Sequence, residues 1–295
     1  MSATGLRILA RILALLPLPV LHAAAVPAAG LLGLLPWKKH AVVRRNLNAC
    51  FPDMDRTERR RLERAQRVEL LRLGSEMGAL ACWSERRLDR HLGTISGWHH
   101  VESALAGGRG LLLVSGHIGN WEILNLELSR RIPLVTLYLA PEQAGIDRFI
   151  TRARSRFGGR MVPSGSAAMR RLLRQLRDGG AIAIAADIQP KQGEGVFAPF
   201  FDTPALTMTL VNRLVRKTGC AVVFCRSERL DRGRGWNLEF QPAGAELADP
   251  DPARAMSHMN RWLADEIRRT PAQYLWIYKR FSRRPEGQAR FYPKG

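Results

Sequence analysis

From residue 111 onward, short apolar runs alternate with stretches of helical spacing, and this alternation leaves few architectures open. The segments 111–115 (LLLVS), 134–139 (LVTLYL), 160–163 (RMVP) and 181–186 (AIAIAA) have the length and character of buried strands. Between them, 121–131, 147–157 and 167–178 read as helices, the last stopping at Gly179-Gly180. A loop rich in Gly, Pro and Phe runs to Pro204. A helix over 206–217, strands at 221–225 and 236–240, and a helix over 252–269 complete the pattern. Strands that alternate with helices predict an α/β layered fold with a mixed, largely parallel sheet. No internal repeat is visible.

The first third of the chain is different. Residues 12–35 (ILALLPLPVLHAAAVPAAGLLGLL) are 24 residues without a formal charge, and about 20 apolar residues can span a bilayer as a helix. Pro17, Pro19, Pro27 and His22 interrupt that reading, because proline kinks helices. The segment reads as a single membrane anchor, as an interfacial hairpin broken at the prolines, or as a signal peptide cleaved near His22; a buried hairpin of a soluble protein is the plain alternative. Arg7 and Arg11 precede it, and Lys38, Lys39, Arg44 and Arg45 follow. The heavier basic flank stays cytoplasmic by the positive-inside tendency, which predicts a membrane-bound protein with its bulk inside. Residues 38–50 are a basic juxtamembrane segment, ended at Phe51-Pro52-Asp53. Residues 55–73 predict a helix capped by Asp55 or Thr57, dense in arginine from Arg59 to Arg67. These arginines form either a solvated face or a contact with anionic headgroups.

The chain carries 46 Lys+Arg against 26 Asp+Glu, a net charge of +20, which calls for an acidic partner. No helix-turn-helix, zinc-finger or RRM signature accompanies that charge, so nucleic acid is not the expected partner. The four cysteines (Cys50, Cys82, Cys220, Cys225) show neither a disulfide framework nor zinc spacing. No metal and no cofactor are expected.

The sharpest local feature is Ser115-Gly116-His117-Ile118-Gly119-Asn120-Trp121-Glu122, placed where an apolar strand passes into a helix. Open α/β sheets bind substrates at the carboxyl ends of their strands. On one ideal helix, His117 and Glu122 would point about 140° apart. With His117 on the preceding loop and Glu122 in the first turn, the carboxylate can reach back to the imidazole, and Gly116 and Gly119 suit such a tight entry. A His–carboxylate pair is the working part of a general base for a hydroxyl. The competing reading is a structural His at a helix start.

The segment GHIGNWE resembles the H-x-x-x-x-[D/E] box of glycerolipid-type acyltransferases, and in detail that of the lipid A biosynthesis lauroyl/myristoyl acyltransferases of Gram-negative bacteria. Further blocks agree in order. Asn46-Leu47 with Phe51-Pro52 is similar to the family's N-L-x-x-x-[FY]-P segment. Arg154 with Phe157-Gly158 is similar to R-x-R-F-G, and Asp187-Ile188-Gln189 to a D-Q segment with one residue inserted. Residues 196–207 (VFAPFFDTPALT) match F-V-x-F-F-G-x-P-A-x-T, with Asp202 in place of Gly. Residues 271–281 (PAQYLWIYKRF) match the terminal P-E-Q-W-L-W-x-H-[KR]-[RW], with Tyr274 and Tyr278 where Trp and His are usual. The resemblance covers about residues 5–285.

The resemblance implies a glycerolipid-acyltransferase-like domain over 101–285, preceded by an anchor over 1–37 and a basic helical preface over 38–100, and followed by a tail over 286–295. It implies transfer of an acyl chain from acyl carrier protein to a hydroxyl of a hydroxyacyl chain on a lipid A precursor, at the cytoplasmic face of the inner membrane. His117 and Glu122 would be catalytic. Backbone N–H groups among Gly116, Gly119 and Asn120, or Arg154, would hold the oxyanion or substrate. Arg154 otherwise belongs to a solvated basic helix with Arg148, Arg152 and Arg156. Asp187 either serves the site or caps a turn. Phe197, Phe200 and Phe201 line an acyl groove or pack a core. Trp276, Tyr278, Lys279 and Arg280 form a membrane-interface belt or an edge strand. His99 and His100 receive no role. An ornithine-lipid or phospholipid acyltransferase of the same mechanism, and a basic membrane- or nucleic-acid-binding protein without catalysis, are the rival readings.

Overall fold

The computed structural model describes residues 3–165 and 167–293, so the last two residues of the tail lie outside the described part. Nine strands are present among the described residues: β1 (Leu92–Ser96), β2 (Leu111–Ser115), β3 (Leu134–Tyr138), β4 (Arg160–Pro163), β5 (Ala181–Ala185), β6 (Gly195–Phe200), β7 (Thr203–Met208), β8 (Ala221–Arg229) and β9 (Trp236–Pro242). Seven form one sheet in the order β1-β9-β8-β2-β5-β3-β4, and β6 and β7 form a separate hairpin. Within the large sheet only β8 and β9 are antiparallel, so the expected mixed, largely parallel sheet is what the chain builds. Its first strand, β1, lies within the basic preface rather than after residue 101.

The helices are α1 (Ala3–Leu15), α2 (Leu18–Leu34), α3 (Lys39–Cys50), α4 (Arg56–Leu80), α5 (Glu85–Asp89), α6 (Trp98–Ala106), α7 (Trp121–Arg131), α8 (Ala144–Ser155), α9 (Ala168–Arg177), α10 (Leu210–Thr218) and α11 (Pro252–Arg269). They cover both faces of the sheet. That is why β2 and β5 read as unbroken apolar runs: central parallel strands are buried on two sides. Leu111 and Leu113 of β2 face a core shared with α4, α7 and Trp236. Leu112 and Val114 face the opposite core, with Leu172, Leu214 and Met259.

Several local readings change. The helix read from residue 55 runs on to Leu80 through Gly74 and Gly78. Asp55 is its cap, accepting Thr57 and Glu58 N–H at 2.6 and 2.8 Å while Glu58 returns the contact. At Gly78 a Cβ would lie 2.7 Å from Leu13 Cδ1, so the glycine admits α1 against α4. Residues 206–208, read as helix, belong to β7, because 195–200 pairs antiparallel with 203–208. The 271–281 segment is neither belt nor edge strand. It begins with a 3₁₀ turn at Pro271–Gln273, and Trp276 and Arg280 are each 1% exposed. Phe200 and Phe201 pack with Trp276 and Phe281 in a third core, so the core reading of that cluster holds for these two.

The segment 12–35 takes the form of the hairpin broken at a proline rather than of one straight helix. No single helix among the described residues is long and apolar enough to cross a membrane. Helices α1 and α2 reach the length together, but the chain turns by 117° between them, at Leu16 and Pro17, with Pro17 as the N-cap of α2. Both helices pack on α4.

Candidate active site

The register of the sheet brings two strand ends together. β2 and β5 are parallel neighbours, and Ser115 pairs with Ala185. The residues two places beyond each end, His117 and Asp187, therefore leave the sheet side by side. His117 Nδ1 lies 2.7 Å from Asp187 Oδ1, and the His117 backbone N–H donates to Asp187 Oδ2 at 2.8 Å. This double contact orients the ring, places the Nδ1 proton toward Asp187, and leaves Nε2 for a ligand. Burial on its own would lower the His117 pKa, but the Asp187 carboxylate outweighs it and holds the imidazole above its usual value. Burial likewise pushes Asp187 up, and the histidine opposite brings it below the usual carboxylate value.

Glu122 does not touch the imidazole. It sits in the first turn of α7, and Arg154, near the end of α8, takes both its oxygens: Nε donates to Oε2 at 2.9 Å and Nη2 to Oε1 at 2.5 Å. The expected His117–Glu122 contact fails for a simple reason: Asp187 already occupies Nδ1, and a bidentate guanidinium is the stronger partner for a carboxylate. Burial would lower the Arg154 pKa, but Glu122 raises it, so the pair is ionic. Arg154 is thus not a freely solvated residue; Arg148 and Arg152 of the same helix are exposed.

The turn between His117 and α7 is clamped from three sides. Gly119 N–H donates to Gln273 O at 3.0 Å, Leu275 N–H to His117 O at 3.1 Å, and Asn120 N–H to Ser227 Oγ at 2.8 Å. Gly119 has φ +62°, and a Cβ there would lie 2.0 Å from Ser227 O, so only glycine fits. At Gly116 a Cβ would fall 2.5 Å from Leu263 Cδ1, beside Asp187. Asn120 caps α7: Oδ1 accepts Glu122 and Ile123 N–H at 3.0 and 3.3 Å. The N–H groups of His117, Gly119 and Asn120 are therefore spent within the fold, which removes them as oxyanion donors. Arg154 remains.

His117, Glu122 and Arg154 border a cavity of about 270 Å³. Its other walls are mostly apolar, with Trp121, Leu124, Leu128, Leu137, Ile184 and Ile188 among them. The Trp121 ring meets the His117 ring edge-on at 4.5 Å. An imidazole with a carboxylate behind it and a fixed cation nearby, on an apolar cavity, suits proton abstraction from a hydroxyl next to a hydrocarbon chain. Among the described residues no group of His, Cys, Asp or Glu side chains could hold a metal ion.

Sequence reasoning singled out His117, Glu122, Arg154 and Asp187 but not their pairing. It missed Ser227, Gln273 and the Glu76–Arg229 pair behind the turn, which carry no local motif. The ordered blocks around residues 187 and 273 were the only signal.

The model of the family described as bacterial lipid A biosynthesis acyltransferase matches residues 5–283. The chain is 30% identical over 275 residues to the lipid A biosynthesis lauroyltransferase of Escherichia coli (strain K12), covering 92% of this chain and 88% of that protein. It is 27% identical over 283 residues to the lipid A biosynthesis palmitoleoyltransferase of the same organism, covering 94% and 90%. It is also 29% identical over 208 residues to the phosphatidylinositol mannoside acyltransferase of Mycobacterium tuberculosis (strain CDC 1551 / Oshkosh), covering 68% and 63%. A match that takes in the whole sheet, both helices behind the cavity and the segment that clamps the turn after β2 means that the chain belongs to the bacterial lipid A biosynthesis acyltransferase family.

Proposed function

We propose that this acyltransferase of lipid A biosynthesis moves a fatty acyl chain from acyl carrier protein to a hydroxyl of a hydroxyacyl chain on a lipid A precursor, with His117 as general base. The observation that carries the reading is the 2.7 Å His117–Asp187 contact at the edge of an apolar cavity. The acceptor O–H gives its proton to His117 Nε2 as the oxygen attacks the thioester carbon. Arg154, steadied by Glu122, balances the charge on the tetrahedral oxygen. Collapse breaks the C–S bond, and the His117 proton passes to the departing thiolate. The cavity takes the acyl chain. Asp187 fixes the tautomer and supports the imidazolium.

The amino-terminal hairpin supports attachment to the inner membrane. Its small residues Ala10, Ala14, Ala25 and Ala29 face inward, while Leu15, Leu31 and Leu34 are 79%, 66% and 83% exposed. Soluble packing favours the reverse, and an apolar outer face suits lipid. The basic residues after it, Lys38, Lys39, Arg44 and Arg45, favour the cytoplasmic side.

Mass spectrometry of lipid A from cells lacking this gene tests the function. A species short by one acyl chain is expected. Unchanged lipid A would reject the acceptor and favour the second reading, a different glycolipid, which the similarity to a phosphatidylinositol mannoside acyltransferase supports.

A further inference from the structure

A buried polar network joins the amino-terminal hairpin to the catalytic turn. Its hub is Glu76 of α4, which has no solvent exposure. Oε1 of Glu76 meets His22 Nε2 of α2 at 2.6 Å and accepts from Arg229 Nε at 2.6 Å. Oε2 accepts from Arg229 Nη2 at 2.6 Å and from Asn120 Nδ2 at 2.8 Å. Asn120 is the residue whose Oδ1 caps α7, the helix that carries Glu122. His22, Glu76 and Asn120 thus form a continuous line from α2 to the catalytic helix, and none of the three borders the cavity.

The charges in this network balance without His22. Arg229 also holds Glu69 at 2.7 Å, and Glu69 pairs with Arg72 at 2.6 Å, so two guanidinium groups face two carboxylates. What His22 adds is one directed hydrogen bond from a helix otherwise held by apolar contacts, those of Leu18 and Leu21 among them. Burial would raise the Glu76 pKa, but Arg229 and His22 bring it down to about 2, so the hub stays ionised. A buried ion network is a weak stabiliser, because desolvation offsets most of the attraction. Its distinct property is direction: each partner fixes the rotamer of the next.

We propose that His22 and Glu76 are positioning residues, through which seating of α2 on α4 orders the Asn120 cap and with it the Glu122–Arg154 pair. The hairpin that meets lipid is then also the element that completes the site. This inference rests on the acyl-transfer reading above.

The test uses the full-length protein in lipid–detergent micelles. His22→Leu keeps the bulk and removes the bond, whereas His22→Gln keeps a donor. Asn120→Ser keeps a cap oxygen and loses the link to Glu76. His22→Leu is expected to lower kcat about 10-fold, the weight of a hydrogen bond to a charged group, with both KM values within about twofold. His22→Gln should return kcat to within about twofold, and His22→Leu/Asn120→Ser should be no slower than Asn120→Ser alone, because the residues act in series. Amide hydrogen exchange at 120–123 should rise about 10-fold in His22→Leu. A folded His22→Leu protein with wild-type kcat and exchange, or losses that multiply in the double variant, overturns the proposal. If His22→Leu does not fold, His22→Gln against the shorter His22→Asn reads the same bond: equal kcat overturns it. If the wild-type protein transfers no acyl group to any acceptor, the functional reading fails. Exchange at 120–123 then decides the coupling alone: a rise in the variant supports it and no change overturns it.

Discussion

The imidazole of His117 has one carboxylate in contact and a second nearby that is committed elsewhere, and this division sets what each substitution should do. Asp187→Asn keeps a side-chain oxygen for the His117 N–H and removes the charge. In the proposed mechanism the base acts only when neutral, so activity should fall as pH drops through the His117 pKa. In the wild-type protein that acid limb lies above the ordinary histidine value of about 6.5. Without the Asp187 charge, burial is opposed only by the more distant Glu122 and moves the limb to lower pH, while the plateau kcat drops about 10²- to 10⁴-fold as the tautomer is lost. His117→Ala should remove activity to a similar extent with no acid limb. Both are read from kcat against pH. Glu122→Gln should behave differently. It leaves the Arg154 guanidinium without its counter-charge at a cost of about 1.5–3 kcal/mol. A lower Tm and a lower kcat are expected together, with a smaller shift of the acid limb than Asp187→Asn gives. A larger shift would restore Glu122 as the imidazole's electrostatic partner. His117, Glu122 and Asp187 stood out in the sequence because each stands at a strand end or a helix start. The partnership was not, because the adjacency of β2 and β5 depends on strand order, which no local pattern encodes.

At the scale of elements, legibility followed how far local pattern alone decides the state. β2, β4, α7 and α11 have the ends the pattern predicts, since each is bounded by a turn residue or an N-cap. Residues 206–208 went to strand instead, because their partner at 195–200 lies across a tight turn and pairing outweighs propensity. The break in the apolar run 12–35 was legible from its prolines, but not which of them makes it: Pro17 caps α2, whereas Pro19 and Pro27 are accommodated within that helix. The hairpin's outward side chains can be changed without touching that packing. Ile12, 52% exposed, and Leu31 face away from the core. Ile12→Ser and Leu31→Ser each remove roughly 1.5 kcal/mol or more of apolar transfer energy if the face is buried in lipid. Each should lower vesicle partitioning about 10-fold with Tm unchanged, measured by co-sedimentation with anionic vesicles. Unchanged partitioning would leave the basic surface as the sole attachment.

Across the whole molecule, the net charge of +20 is spread unevenly with respect to the cavity. The arginines of α4 include Arg60, Arg61 and Arg64, which are exposed, and Arg59, which is turned back to the carbonyls of Phe51 and Met54. Those of α8 stand nearer the chemistry. Arg154 of α8 borders the cavity, and so does Leu139 just before this helix, at 69% exposed. Arg148 and Arg152 project from the same helix into solvent and have no carboxylate partner among the described residues. Helix α8 also adjoins α1, where a Cβ on Gly145 would lie 2.9 Å from the Ala3 Cβ. An acidic carrier bringing its thioester to His117 would therefore meet α8 beside the apolar hairpin, with two unpaired cations facing it. Steering of this kind acts on encounter and is screened by salt. Arg148→Glu/Arg152→Glu should raise KM for acyl carrier protein about 10-fold at low salt and flatten its dependence on ionic strength, with kcat near wild type. The same change in Arg60→Glu/Arg64→Glu should leave donor KM within about twofold, because neither arginine borders the cavity. With acyl-coenzyme A as donor, itself anionic but small, the α8 variant should lose less. Equal effects of the two variants on donor KM would transfer carrier docking to the charge of the molecule as a whole, and no effect of either would assign the arginines to the membrane surface.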